Sequence, residues 1–530
     1  MQFENVSFRY ESRKTQESVR ALDFTVNDGE FILICGSSGS GKSTVGRLIN
    51  GLAPYFYKGE LSGNVMLDGR SVREIPQAEL AARIGSVFQN PRTQFFDTDS
   101  TGEMAFGCEN MGYPPEEIGR RIKQTSAEFG IEELLDKKLF GMSGGEKQKI
   151  ACGSIYAVDP DVYIFDEPSS NLDLTSIREL ARIMKLLKNR GKTVILIEHR
   201  IYYAMELTDR IFYMESGTVK EIYSRPDFVK KPLSELHQMG LRTSSEELSQ
   251  LLADRVGIRS DRGYVDVQQL SFSYRTTAAH QNKTLAIQDL RIPKGSIIAL
   301  IGENGAGKST FVKCMCGLEK CEKAVIADNG RKLSARQRLR DSYLVMQDVN
   351  HQLFSESVEG ELLLSDPDIS KEQIESILEM LDLGAFLQDH PMALSGGQKQ
   401  RVAVASACAA HKKYLYLDEP TSGLDYKQMK NMSRMIRSIK ENVSFVMIVT
   451  HDPEFIFECC DHIIELEKGS VKSTYPLDKN GQMKLCEHFM SRVIDGGRIV
   501  QQGKHNELMQ KDGIYRTFVN DRKKAVSRKL

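Results

Sequence analysis

The sequence predicts two tandem α/β domains, each with a mainly parallel sheet, an antiparallel β edge and a helical subdomain. Two observations predict this fold class. First, a glycine-rich loop of the form G-x-x-x-x-G-K-S occurs twice, each time after a short apolar segment typical of a buried strand. Second, apolar strand-like segments alternate with helical segments after each loop. Because both features recur in the same order, the chain contains two copies of one structural unit.

The repeat sets the expected domain boundaries. We expect a first domain at 1–225, a helical linker at 226–262, a second domain at 263–473 and a C-terminal extension at 474–530. The second unit is the shorter one between its glycine-rich loop and residue 395. The sequence predicts no role for this extension.

Strands and helices of the first unit follow from its apolar pattern. Alternating apolar residues at 3–10 predict an edge strand, and strands at 21–26 and 29–34 flank an Asn-Asp-Gly turn. A helix follows the glycine-rich loop, and strands follow at 61–68 and 85–89. Residues 97–140 are expected to form the helical subdomain. A strand at 162–165, a helix at 175–189 and a strand at 193–197 complete the predicted sheet.

Both glycine-rich loops have the residues of a phosphate-binding loop. Glycines let successive backbone N–H groups face one centre at the start of a helix, where the helix dipole favours an anion. The lysine adds a charge for the β- and γ-phosphates, and the next serine offers a hydroxyl to Mg²⁺. The first loop consists of Gly36, Ser37, Ser38, Gly39, Ser40, Gly41, Lys42, Ser43 and Thr44, and the second of Gly302, Glu303, Asn304, Gly305, Ala306, Gly307, Lys308, Ser309 and Thr310.

A pair of acidic residues ends one apolar strand in each unit. Asp166 and Asp418 are placed to hold Mg²⁺, the usual arrangement being through water. Glu167 and Glu419 follow directly and can polarise the water that attacks the γ-phosphate. The phosphate loop upstream makes this interpretation much stronger than that of two solvated acids.

A Ser-Gly-Gly sequence stands at the start of a predicted helix in each unit, as Ser143, Gly144 and Gly145 and as Ser395, Gly396 and Gly397. Serine is a good helix N-cap, and two glycines admit an anion close to free N–H groups. This stretch resembles the L-S-G-G-Q signature of ABC-type ATPases. The second unit matches the signature in full, and the first unit has M-S-G-G-E in its place.

The resemblance covers about residues 1–473 and implies the remaining roles. The family's glutamine that senses Mg²⁺ and water corresponds to Gln89 and Gln347, and the histidine that contacts the γ-phosphate corresponds to His199 and His451. The aromatic residue that stacks on adenine corresponds to Tyr10 and Tyr274. The resemblance also implies that ATP and Mg²⁺ bind between the phosphate loop of one unit and the signature of the other.

Composition excludes several classes of function. The net charge of −1 gives no global field that would favour a nucleic-acid partner. No run approaches the roughly 18 apolar residues that a bilayer span needs, and no signal-peptide pattern is present. The ten cysteines are typical of reduced, buried thiols in a cytosolic protein. Cys314, Cys316 and Cys321 cluster after the second phosphate loop, where core packing is favoured over a metal site.

One stretch favours a particular branch of the family. Residues 88–96, Phe-Gln-Asn-Pro-Arg-Thr-Gln-Phe-Phe, are similar to a motif of energy-coupling-factor ATPases, which drive uptake of vitamins, cobalt or nickel. This similarity implies a subunit that powers a membrane importer. Its partners would be integral membrane transport subunits, both transmembrane and substrate-binding, and it would lie peripherally on the cytoplasmic face of the membrane.

The alternative is a soluble tandem ABC ATPase that acts on the ribosome. That type has a long, charged helical linker and E-P-T-N-H-L-D after the acidic strand. Here residues 167–173 and 419–425 are Glu-Pro-Ser-Ser-Asn-Leu-Asp and Glu-Pro-Thr-Ser-Gly-Leu-Asp, which are more similar to importer sequences. The sequence therefore favours the importer.

Overall fold

The computed structural model describes residues 1–11, 17–170, 172–242, 262–274, 284–490, 492–495 and 498–502. The chain forms two compact units. The first contains the described residues up to Arg242 together with Asp425–Lys427, and the second contains the other described residues from Arg262 onward. The domain boundaries predicted at residues 225, 262 and 473 stay predictions. Most of the extension, residues 503–530, lies outside the described residues.

The first unit contains a four-stranded sheet of order β2-β1-β4-β5 and a six-stranded sheet of order β10-β9-β3-β8-β7-β6. Its strands are β1 Gln2–Tyr10, β2 Val19–Thr25, β3 Phe31–Cys35, β4 Gly59–Leu67, β5 Arg70–Ser71, β6 Ile84–Val87, β7 Val162–Asp166, β8 Thr193–Ile197, β9 Arg210–Glu215 and β10 Thr218–Ser224. Its helices are α1 Lys42–Ile49, α2 Leu52–Tyr55, α3 Gln77–Arg83, α4 Ser100–Asn110, α5 Pro115–Phe129, α6 Gly144–Val158, α7 Leu174–Asn189, α8 Arg225–Phe228 and α9 Leu233–Gln238.

Parallel pairing in the six-stranded sheet puts the candidate site at one edge. Strand β3 pairs in parallel with β8 and β9, and β7 pairs in parallel with β6 and β8. The carboxyl ends of β3, β6, β7 and β8 therefore lie at the same edge of the sheet. Strands β9 and β10 pair antiparallel, as do those of the four-stranded sheet.

Burial on both faces of the large sheet explains its continuous apolar runs. In β3, Phe31 and Leu33 belong to the core cluster that contains Ile150 of α6, whereas Ile32 and Ile34 belong to the cluster on the opposite face. A strand covered on both sides needs apolar residues at every position, because successive side chains point to opposite faces. The sequence pattern thus follows directly from the layered architecture.

The second unit repeats this architecture, with sheets of order β12-β11-β14-β15 and β16-β17-β18-β13-β19-β20. Its strands are β11 Tyr264–Phe272, β12 Leu285–Pro293, β13 Ser296–Ile301, β14 Lys323–Asp328, β15 Arg331–Lys332, β16 Ser342–Val345, β17 Tyr414–Asp418, β18 Phe445–Val449, β19 His462–Glu467 and β20 Ser470–Pro476. Its helices are α10 Lys308–Cys316, α11 Ala335–Asp341, α12 Val358–Ser365, α13 Lys371–Met380, α14 Gly396–Ala409, α15 Tyr426–Ile439, α16 Pro453–Cys459 and α17 Lys479–Met490. The predicted fold class is confirmed.

The chain continues beyond β20. Helix α17 buries Leu485 and Phe489, and a two-stranded hairpin of β21 Arg492–Asp495 and β22 Arg498–Gln502 follows it. Among the helices that the structure describes, we find none with the length and apolar character required to cross a bilayer.

Candidate active site

The phosphate loop of the first unit joins β3 to α1 in a conformation that requires glycine. Gly36 has φ 143°, and a Cβ there would lie 2.1 Å from the carbonyl oxygen of Met214. The second unit is built in the same way, since Gly302 has φ 148° and its Cβ would lie 2.2 Å from the carbonyl oxygen of Leu466. A side chain at either position would force the loop away from the sheet.

Both loop lysines are buried and bonded to their own loops. The Lys42 ammonium donates to the carbonyl oxygens of Gly36 at 2.9 Å and Ser37 at 2.8 Å. Lys308 donates likewise to Gly302 at 2.8 Å and Glu303 at 3.0 Å. Burial lowers the pKa of Lys42, opposed by the negative charge of Glu167.

The serine and aspartate predicted to hold Mg²⁺ are in contact. Ser43 Oγ donates to Asp166 Oδ1 at 2.9 Å, and Ser309 makes the corresponding hydrogen bond to Asp418. Burial raises the pKa of Asp166 to about 6, and the neighbouring Glu167 carboxylate contributes to that rise. Burial also raises the pKa of Asp418. A carboxylate that is poorly solvated beside a hydroxyl is suited to a cation that restores the missing solvation.

In the first unit, the candidate catalytic glutamate is held by two side chains. Gln89 Nε2 donates to Glu167 Oε2 at 2.8 Å, and His199 Nε2 lies 3.1 Å from Glu167 Oε1. Burial raises the pKa of Glu167, but the charge of His199 and its hydrogen bond outweigh burial and leave that pKa below its usual value. The glutamate also has φ 46°, a left-handed backbone that is uncommon for a non-glycine residue and recurs at functional sites.

In the second unit the equivalent histidine and glutamate lie farther apart. His451 Nε2 lies 3.8 Å from Glu419 Oε1, and Gln347 is exposed to solvent where Gln89 is half-buried. Glu419 has φ 50°, so the backbone geometry at the glutamate is the same in both units.

The signature residues cap helices α6 and α14 and expose their first residues. Ser143 Oγ accepts from the Glu146 N–H at 3.3 Å, while Glu146 Oε2 accepts from the Ser143 N–H at 2.8 Å. Ser395 and Gln398 form the same reciprocal capping box. The Glu146 carboxylate thus caps its own helix, and glutamate and glutamine accept the same backbone hydrogen bond at this position.

Each candidate adenine-stacking tyrosine is tied to its phosphate loop. The Tyr10 hydroxyl is 3.2 Å from Thr44 Oγ1, and the Tyr274 hydroxyl is 3.2 Å from Thr310 Oγ1. Tyr274 keeps 47% of its surface exposed, which leaves a ring face available to a base.

Two residues with a part in the site were not predicted. Arg47 donates to the Tyr10 hydroxyl at 3.0 Å, and its guanidinium lies 4.1 Å from the centre of the Tyr57 ring. Glu198 is 2% exposed and accepts from the His199 N–H at 2.8 Å and the Tyr203 hydroxyl at 2.9 Å. The signals available were a cation one turn after the loop lysine and an acid at the end of a buried strand.

The residues present fit ATP with Mg²⁺. Each unit offers a glycine cradle that a Cβ would fill, a buried ammonium and a serine–aspartate pair. A model of the ABC transporter family matches residues 19–170 and 285–422. A putative ABC transporter ATP-binding protein of Treponema denticola is 40% identical over 483 residues, which is 91% of this chain and 98% of that protein.

The chain belongs to the ABC transporter family. As the domains of this family do, both units of this ABC protein bind ATP with Mg²⁺ and act as ATPases. The tandem arrangement of ATP-binding domains predicted from the sequence is confirmed.

Solved structures resemble this ABC protein along most of its length. The archaeal ribosome recycling factor aABCE1, solved with the ribosomal stalk protein aP1, has a TM-score of 0.61, covers 92% of this chain and is 22% identical, with 95% of its own chain covered. A model of ribosome-bound archaeal Pelota and ABCE1 has a TM-score of 0.66 at 22% identity, with 95% of this chain and 85% of that chain covered. At this identity the likeness shows that the fold is shared.

These comparisons contradict three predictions made from the 88–96 motif: the importer function, the integral membrane transport subunits as partners, and the position on the cytoplasmic face of the membrane. The structural neighbours that cover most of this chain are a ribosome recycling factor and a ribosome-bound protein. The relative from Treponema denticola is named a putative ABC transporter ATP-binding protein, and its name gives no membrane partner and no transported substrate. The physical reason is that a nine-residue motif beside the active site determines local packing but does not determine which partner the protein binds.

Proposed function

We propose that Glu167 and Glu419 position the attacking water and accept its proton, each in its own unit. The contacts of Glu167 support this role, because Gln89 and His199 hold both carboxylate oxygens and its pKa lies below the usual value. An ionised, oriented carboxylate at the carboxyl end of β7 is what a general base at neutral pH requires.

The other site residues bind and orient. Lys42 and Lys308 release their loop carbonyl oxygens and turn their charge to the phosphates, while the loop N–H groups and the helix dipole accept the anion. Ser43 with Asp166, and Ser309 with Asp418, hold the cation. Mg²⁺ supplies charge neutralisation on the phosphate oxygens. His199 and His451 orient the glutamates, and Tyr10 and Tyr274 stack on the base.

We further propose that the ATPase cycle of this chain works on the ribosome. The support is the shared fold: a ribosome recycling factor in complex with a ribosomal stalk protein, and a ribosome-bound protein, match more than nine tenths of this chain. Both units and their order are therefore in common. ATP binding and hydrolysis would then drive binding to, and release from, a ribosomal surface.

The catalytic proposal is tested with Glu167→Gln and Glu419→Gln, alone and together. The double variant should bind ATP like the parent while its turnover falls by about 10²–10⁴-fold, the contribution of a general base. Similar partial losses in the two single variants would indicate two working sites. Glu74→Gln and Glu375→Gln, which change exposed glutamates, are the matched controls. Turnover of the double variant within about twofold of the parent would refute the role.

The ribosomal proposal is tested by co-sedimentation with ribosomes isolated from the cells that produce the protein. The double Glu→Gln variant with ATP and Mg²⁺ should sediment with ribosomes, and the ADP-bound parent should stay in the supernatant. Absence of the nucleotide-loaded double variant from the ribosomal fraction would refute this partner. Because the first test measures turnover without ribosomes, the two proposals can fail separately.

A further inference from the structure

Tyr10, the candidate adenine-stacking residue of the first unit, stands at the end of a strand. It is the last residue of β1 and pairs with Gly59, the first residue of β4. The strand fixes where the side chain begins, but the orientation of the ring depends on the rotamer and on the contacts of the side chain itself. These contacts therefore decide how the ring meets a base.

A guanidinium of α1 binds the hydroxyl end of Tyr10. Arg47 Nη1 donates to the Tyr10 hydroxyl oxygen at 3.0 Å, and Thr44 Oγ1 lies 3.2 Å from the same oxygen. Thr44 and Arg47 are both in α1 and lie three residues apart, so their side chains are on one face of the helix. Because Arg47 donates to the oxygen, the hydroxyl keeps its own proton for Thr44.

Tyr57 completes this cluster by packing against the guanidinium. The central carbon of the Arg47 guanidinium lies 4.1 Å from the centre of the Tyr57 ring, which is within the range of a cation–π contact. The pairing of β1 with β4 also brings Tyr57 beside Tyr10, with ring centroids 6.4 Å apart and planes at 89°. Phe8 contacts Tyr10 in the same edge-to-face manner at 4.8 Å. One hydrogen-bond donor and two rings thus restrain Tyr10.

The second unit differs in the residues beside its equivalent tyrosine. Lys313 stands five residues after the loop lysine, where Arg47 stands in the first unit. Residues 317–322 join α10 to β14, a connection shorter than 50–58, which contains Tyr57. Tyr274 is 47% exposed, whereas Tyr10 is half-buried. A lysine has neither the planar face nor the fork of donors with which a guanidinium can contact a ring and a hydroxyl together.

We propose that Arg47 and Tyr57 are positioning residues that fix the ring of Tyr10 for the nucleobase. The first unit therefore binds the base of ATP more strongly than the second. This inference rests on the proposed stacking role of Tyr10. A ring that is already held in its bound orientation loses less conformational freedom when the base arrives, so more of the stacking energy contributes to affinity.

The full-length chain with one working site at a time allows base binding to be measured in each unit. Gly302→Ala blocks the second site and Gly36→Ala blocks the first, because each added Cβ would meet a backbone carbonyl oxygen. Isothermal titration calorimetry then gives the dissociation constants of inorganic tripolyphosphate and of ATP, both with Mg²⁺. Their ratio isolates the nucleoside, because the phosphate loop contributes to both. We expect the ratio to be about three- to tenfold larger at the first site.

Substitutions at the first site test the two positioning residues. Arg47→Met and Tyr57→Leu should each lower the ratio about three- to tenfold, the effect of losing one hydrogen bond or cation–π contact. Tyr10→Phe, which keeps the ring and removes the hydroxyl, should act like Arg47→Met, and the two changes together should lower the ratio no further. The matched control is Lys313→Met at the second site, which should leave the ratio unchanged.

The possible failures of this test are distinguishable. If Tyr10→Ala lowers the ratio and Arg47→Met does not, the positioning role is overturned while the stacking role of Tyr10 stands. An equal loss of affinity for ATP and tripolyphosphate in Arg47→Met would have the same meaning, since a merely structural residue affects both ligands. A ratio unchanged by Tyr10→Ala would refute the stacking role and the inference with it. Equal ratios at the two sites of the parent would overturn the proposed difference between the units.

Discussion

Replacing the metal-site aspartate of the first unit with asparagine should stabilise the fold while impairing the site. Asp166 lies at the end of β7, where burial and the Glu167 carboxylate raise its pKa from 3.8 to about 6. A shift of about two units corresponds to about 3 kcal/mol. Because the side chain keeps partial contact with solvent, we expect its ionisation to cost the folded state about 1–3 kcal/mol of stability.

The sign of the effect follows from linkage. Folding disfavours the ionised carboxylate, so Asp166 lowers the stability of the fold only when it is ionised. This loss of stability is absent below about pH 4, grows between about pH 4 and about pH 6, and is complete above that range. The introduced asparagine cannot ionise, whereas its amide oxygen can still accept from Ser43. The Asp166→Asn substitution should therefore stabilise the first unit at about pH 7.5 and change little at about pH 4.

Thermal unfolding of the chain without nucleotide measures this difference. For a domain of this size we expect the transition of the first unit to rise by roughly 2–10 °C at about pH 7.5. Mg²⁺-dependent ATP binding to that unit should weaken, since a carboxylate ligand is lost. Asp23→Asn, at an exposed position, is the control and should show neither effect. A lower transition temperature for Asp166→Asn at about pH 7.5, or equal shifts at both pH values, would refute the reasoning.

Three further perturbations test other parts of the structure. Glu465→Gln should destabilise the second unit at neutral pH, because hydrogen bonds from His488 and its neighbours outweigh burial and lower the Glu465 pKa to about 2. The difference in unfolding free energy between parent and variant, measured by calorimetry, should shrink as the pH falls from about 5 towards about 2. Gly36→Ala should abolish ATP binding. Gly39→Ala, with no atom within 4 Å of the added Cβ, should lower the stability of the loop conformation by only about 1–2 kcal/mol. Deleting the chain from residue 479 should lower the melting temperature of the second unit, since α17 buries two large apolar side chains worth about 1.5–3 kcal/mol each, while deletion from residue 503 should leave ATPase activity within about twofold.

Local sequence accounts for much of what was predicted. The phosphate loops follow from sterics at single residues, because Gly36 and Gly302 occupy backbone conformations and close contacts that other residues resist. The parallel sheet follows from apolar runs such as 31–35, which suit strands covered on both faces. The duplication provides the second unit by the same arguments.

The sequence misled where a short motif was used to identify a partner. Phe96, within the 88–96 motif, is 76% exposed and stacks on Phe106 of α4, with ring centroids 4.7 Å apart. That arrangement fixes the local surface of the helical subdomain. The identity of a partner depends on a surface of many residues that the motif does not include.

By itself, the sequence determined the duplicated α/β fold, the phosphate loops and the acidic strand ends, because each depends on residues adjacent in the chain. Tertiary structure alone decided that Gln89 and His199 hold opposite oxygens of Glu167 and that Glu198 supports the histidine. The physical reason is that these contacts join side chains from different strands and helices. Their distances are set by sheet order, parallel register and the turn at each helix end, which no local pattern of residues specifies.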